Sequence, residues 1–186
     1  MNIAKIKYVG LSLVVAASLV LVACPPPSST TTSKGGVGLP TGTPAQIEGK
    51  TVPKGAKLSG AQAIALAPFQ GAIQFPHAVS SFAGMEKGVF GKIEPILKKA
   101  APAIAKVANG LPTGQKLVIV GHADPIGGYQ AAVNYGYARA LTVRNYLVKN
   151  GVPANRLAVF SAAANDLQNK TDIKADVNHR VTFTIK

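Results

Sequence analysis

His122 and Asp124 are the pair whose types and spacing could do chemistry: alternate residues at the end of an apolar run share one face if the strand continues through them. An imidazole beside a carboxylate can begin a metal site, but such a site needs three or four ligands. The chain offers 3 histidines, 7 acidic residues and 1 cysteine, Cys24, which is far away. His122 therefore reads as a structural residue near a strand end, and neither metal nor cofactor is expected. His77, after Pro76, gives no signal of its own. Ser161 precedes Ala162-Ala163-Ala164 without the Gly-x-Ser-x-Gly elbow that exposes a nucleophile. The acids are too scattered to pair for glycoside cleavage, so the chain is not expected to be an enzyme. Taken alone, Asp124 reads as a turn aspartate and Arg139 as a solvated helix charge.

The elements that position these residues begin near Leu58. Ala72-Ile73-Gln74-Phe75 reads as a short strand ended by Pro76. Ile93, Ile96, Leu97, Ala100, Ile104 and Val107 recur at helical spacing and predict a helix over Lys92–Ala108. Pro95 falls near its expected first turn, whereas Pro102 is interior and should kink or split it. Lys116 to Val120 is a continuous apolar run, the pattern of a central strand buried on both faces. A turn at Pro125-Ile126-Gly127-Gly128 leads to a helix over Gln130–Lys149, with Val133, Tyr137, Ala140, Val143 and Leu147 as its apolar stripe. Arg139 lies off that stripe, with Tyr135, Thr142 and Tyr146, and is expected to point outward. Strands follow at Leu157–Phe160 and Arg180–Ile185. The order is β-α-β-α-β-β, an α+β fold with two main helices packed on one face of a small mixed sheet.

Gly121-His122-Ala123-Asp124, then Gly127, Arg139-Ala140 and Tyr146-Leu147 resemble the motif of the OmpA-like C-terminal domain, Gly-His-Thr-Asp-x-x-Gly followed by a helix with Arg-Ala and Tyr-Leu. Gly151 to Leu157 and Asn178-His179-Arg180-Val181 match that family's later segments, so the resemblance covers about Phe69 to Lys186. It implies noncovalent peptidoglycan binding through the diaminopimelate of the stem peptide, with Asp124 and Arg139 as the gripping residues. A carboxylate can take the zwitterion's ammonium and a guanidinium fork its carboxylate. Gly127 and Gly128 are further candidates, because unpaired amides at a helix start favour a carboxylate. Arg180 is another, from the family's final Asn-Arg-Arg. The sequence departs from the pattern at Ala123, Ala132, Tyr135, Gly136 and His179, which bears on ligand choice and strength.

The N-terminus begins with Lys5 and Lys7, then an uncharged run from Tyr8 to Ala23, a little short for a membrane span. Leu21-Val22-Ala23-Cys24 resembles the bacterial lipobox, which implies removal of residues 1–23 and acylation of Cys24 with palmitate-type chains. Several acyl chains on one residue hold a protein stably on a membrane. Residues 24–57 form the expected tether. Its Pro, Ser, Thr and Gly cannot offset chain entropy by burial, and about 33 residues reach roughly 30 Å on average. Residues 58–186 are the expected domain. Of the formal net charge of +13, the expected mature chain keeps +11, since the signal holds only Lys5 and Lys7 of the 20 basic residues and none of the 7 acidic ones. The lysines form no basic run with interleaved aromatics, so nucleic acid is not an expected partner.

Together these features predict an outer-membrane lipoprotein, its domain facing the periplasm, that tethers the membrane to the wall. Pro25 is not the aspartate associated with inner-membrane retention. The alternative is a structural subunit of an envelope-spanning secretion complex of the Dot/Icm-like type IV kind, in which the domain mainly contacts proteins.

Overall fold

The computed structural model describes residues 58–186; the signal, Cys24 and the tether expected over 1–57 lie outside the described residues. Strands β1 (Ile73–Gln74), β2 (Leu117–His122), β3 (Leu157–Ala163) and β4 (Arg180–Ile185) form one mixed sheet in the order β1-β4-β2-β3. Helix α1 (Gly60–Leu66) precedes the sheet, α2 (Lys87–Asn109) links β1 to β2, and α3 (Tyr129–Lys149) links β2 to β3. The α+β architecture and the order of the main elements are as expected. No helix among the described residues is long and apolar enough to cross a membrane.

β2 runs parallel to β3, with Leu117 opposite Leu157, and antiparallel to β4, with Ile119 opposite Phe183. All its residues are buried, as its uninterrupted apolar run requires. Leu117 and Ile119 join Val181, Phe183 and Ile185 beneath Leu97, Ile104, Val143 and Leu147 of the helices. Val118, Val120, Phe160 and Ala162 form a second cluster on the other face.

Helix α1 is a single short element that the apolar pattern misses. Its start is written as Ser59-x-x-Gln62: the Ser59 hydroxyl accepts from the Gln62 amide at 3.4 Å, and the Gln62 side chain takes the Ser59 amide at 2.9 Å. This reciprocal cap satisfies two amides that a helix start leaves unpaired.

Helix α2 starts at Lys87, five residues before the expected position, so Pro95 is interior rather than in the first turn. Pro102 does not split it. The two prolines are seven residues apart and both exposed, so the carbonyls they leave without a donor, on Gly91 and Lys98, lie on the solvent side.

The end of β2 is irregular. Gly121 pairs with Ser161 but His122 with Ala163, so Ala162 is an extra residue in β3. Ala163 adopts φ 49°, and its amide meets the Ser161 hydroxyl at 3.2 Å. Such bulges re-aim the residues beside them.

Candidate functional site

Asp124 sits just past β2, where Ala123 makes the last ladder bond by donating to the Ala163 carbonyl. Its Oδ1 accepts the Ile126 amide at 2.8 Å, which closes a tight turn and holds the carboxylate. The other oxygen, Oδ2, lies 2.6 Å from His179 Nε2 and 3.4 Å from His77 Nε2. The turn contact and the two imidazole contacts therefore fall to different oxygens of one carboxylate.

Arg139 is on the face of α3 that the sequence assigns to solvent, yet it is only 1% exposed. The segment after β1 covers it. Pro76 ends β1, and the carbonyls that follow have no strand to pair with. Buried carbonyls require donors, and α3 supplies them: Arg139 Nε donates to Val79 O at 2.9 Å, Nη2 to Pro76 O at 3.5 Å, and Thr142 Oγ1 to Ser80 O at 2.8 Å. Arg139 Nη1 donates to His122 O at 2.9 Å, tying the guanidinium to the end of β2. The Phe75 and Tyr135 rings flank it, with centroids 5.8 and 5.5 Å from Cζ. Burial lowers its pKa to about 10, against the pull of Asp124, so it stays charged at neutral pH. Three of its five N–H groups are committed to these carbonyls, and two are not.

Asp124 and Arg139 line one cavity of about 330 Å³, with His77, Tyr135, Ile126 and Gly127 on its walls. Gly127 and Gly128 adopt φ 82° and 90°, backbone that favours glycine. The Gly128 amide is not available to an anion, because it donates to the Pro125 carbonyl at 3.0 Å to close the turn before α3. Gly127 contributes to the cavity wall.

Arg180 is elsewhere. Neighbouring strand residues face opposite sides, so Arg180 points away from the helices while His179 points to Asp124. Arg180 donates to Asp166 Oδ2 at 2.5 Å and to the Asp166 and Val177 carbonyls at 3.0 and 3.3 Å, at the edge of a separate cavity of about 880 Å³. His122 also faces that side, with Nε2 2.8 Å from Thr182 Oγ1. It is structural, as the sequence suggests. The strand does not continue through Asp124, so the two residues do not share a face, and no metal-binding group occurs among the described residues.

His77 and His179 are the site residues that the sequence does not single out. The signal for His179 was its parity with Val181 and Phe183, which places it on the helix-facing side of β4. His77 carried none. Burial, with Arg139 adding to it, holds the His179 imidazole below its ordinary pKa despite the Asp124 hydrogen bond.

Among solved structures, the peptidoglycan-associated lipoprotein of Burkholderia pseudomallei is 16% identical with a TM-score of 0.47, the match covering 61% of this chain and 88% of that one. The OmpA-like domain of FopA1 from Francisella tularensis is likewise 16% identical, TM-score 0.47, over 61% and 71% of the two chains. The C-terminal domain of Helicobacter pylori MotB is 19% identical, TM-score 0.43, over 61% and 83%. No curated protein matches the sequence. The model of the OmpA family matches residues 90–180, the stretch that holds α3, Asp124, Arg139 and Arg180, and this chain therefore carries a domain of the OmpA family.

Proposed function

We propose that this protein is an outer-membrane lipoprotein, lipidated at Cys24, whose domain holds peptidoglycan noncovalently and so ties the membrane to the wall. The observation that carries this reading is that Asp124 and Arg139, opposite in charge, line one cavity while Arg139 keeps two N–H groups uncommitted. The ammonium of a diaminopimelate end meets Asp124 Oδ2, and its carboxylate meets the guanidinium. The domain works by binding; no bond is made or broken. The match of the OmpA family model to residues 90–180 supports this reading.

The test is co-sedimentation of the full chain, in mild detergent, with purified diaminopimelate-type peptidoglycan at low and moderate salt. Wild type is expected to pellet at both, because a buried pair is screened far less than surface lysines. Asp124→Asn removes one charge-assisted contact and should weaken binding about tenfold or more. Arg139→Ala should weaken it as well, with a lowered melting temperature. If wild type stays soluble, or all three pellet alike only at low salt, the attraction is bulk charge and the search moves to envelope protein partners.

Lipidation is tested separately by mass spectrometry. The mature chain should begin at an acylated Cys24, and Cys24→Ser should leave the membrane fraction. A chain of unprocessed mass that still carries residues 1–23 would overturn the anchor.

A further inference from the structure

The carboxylate assigned to a ligand's ammonium is already contested. His179, 0% exposed, places Nε2 2.6 Å from Asp124 Oδ2, and His77 reaches the same oxygen at 3.4 Å from the cavity lip, its side chain 41% exposed. The two rings lie 5.5 Å apart. The remaining nitrogen of His179, Nδ1, is buried without a hydrogen-bond partner and faces Asp176 Oδ1 at 3.9 Å. The groups facing this cluster come from every side. His77 belongs to the segment after β1, Arg139 and Tyr135 to α3, Asp124 to the end of β2, and Asp176 to the turn before β4.

The neutral and protonated forms of this cluster differ in what they leave for a ligand. A neutral His179 gives its one N–H to Asp124 and leaves Nδ1 idle. A protonated His179 gains a use for Nδ1, whose new N–H points towards Asp176, and its Nε2–H becomes a charge-assisted donor to Asp124. A protonated His77 adds a second cation at the same oxygen. Together with Arg139 they turn the cavity from charge-balanced to basic, and Asp124 is then occupied by imidazolium.

We infer that His179 and His77 gate the site by acidity: an ammonium ligand competes with imidazolium for Asp124 Oδ2, binding near neutral pH and losing its place in acid. His179 is a positioning residue in this scheme, acting on the ligand through Asp124. The depressed pKa of His179 agrees with a site that is open at neutral pH. The inference rests on the ammonium-binding role proposed above, and its test separates the two.

The wall-pelleting assay is run on the full chain in detergent at pH 7.5 and pH 5.0, with circular dichroism confirming the fold at both. Wild type should bind about tenfold more weakly at pH 5.0, since histidine is the side chain that gains charge in this interval. Glutamine preserves an N–H donor without titrating, so the fall should shrink in His179→Gln and vanish when His77→Gln is added. His122→Gln, on the far side of the sheet, should keep the full fall. Equal wild-type binding at both pH values, or an undiminished fall in the double variant, overturns the gate and leaves wall binding standing. If wild type binds at neither pH, the wall reading fails and the gate is judged without ligand. With 3 histidines in the chain, each ring proton resonance can be assigned by substitution. Asp124→Asn should lower the titration midpoint of His179, and a midpoint that does not move overturns the gate.

Discussion

Gly121→Ala should cost about 3 kcal/mol or more, enough to unfold a typical domain in mild denaturant. A Cβ at Gly121 would lie 1.8 Å from the Gly136 carbonyl oxygen, 2.7 Å from its carbon and 3.1 Å from the Ala140 nitrogen. These are main-chain atoms of α3, so no rotamer change can relieve the overlap; the whole helix must lift from β2. The relation is reciprocal, since a Cβ at Gly136 would meet Ser161 Oγ at 2.4 Å and the Gly121 oxygen at 2.7 Å. Gly136→Ala should therefore fail similarly, and Ser161→Ala should restore only part of the loss, because the Gly121 contact persists. Gly91→Ala in α2 is the contrast. Nothing lies within 4 Å of its Cβ position, and alanine should stabilise the helix by about 0.5–1 kcal/mol. Urea midpoints for the set decide the matter: Gly121→Ala within about 1 kcal/mol of wild type would show that helix and strand are not in contact there. Any larger residue at 136 would displace the helix that carries Arg139.

The second large effect is acid destabilisation centred on His122. Its imidazole is buried and repelled by Arg180, which together outweigh the pull of Asp166 and lower its pKa from 6.5 to about 4. The unfolded chain takes up the proton first, so stability is complete above pH 6.5, falls as pH drops, and levels off near pH 4. A separation of that size corresponds to roughly 3 kcal/mol. His179, also depressed, adds to the loss in the same direction. His122→Gln can keep a contact with Thr182 without titrating. Denaturant unfolding between pH 7 and pH 4.5 should show wild type losing about 2–3 kcal/mol more than the variant. Parallel curves would mean that His122 is hydrated enough to titrate normally.

Much of this domain was legible in the sequence because its periodic segments are strongly patterned. β2, α3 and β4 lie within a residue or two of their expected bounds. α2 was read short, since Gly88, Gly91 and Pro95 look like breaks where in fact they face solvent or open space. β3 was read short because Ser161-Ala162-Ala163 has no β-branched residue, and the bulge it contains depends on pairing with β2. Gly121, His122, Asp124 and Arg139 stood out through their combined motif. The burial of Arg139 did not, because its cover is a segment some 60 residues away whose demand for donors arises only once Pro76 has ended β1. His77 and His179 are nearly 50 and 55 residues from Asp124, and nothing in their local sequence announces a shared carboxylate oxygen.

Arg139 also has a mechanical meaning. A pull on the chain just before β1 would load the sheet edge, where β1 is paired with β4 through only Ile73–Val181 and Gln74–Arg180. So short a pairing peels easily. Immediately behind it stand the carbonyls of Pro76, Val79 and Ser80, fastened to α3 by Arg139 and Thr142. The guanidinium acts there as a rivet between the strand edge and the body of the fold, so the side chain proposed to meet a ligand is also one that would resist such a pull.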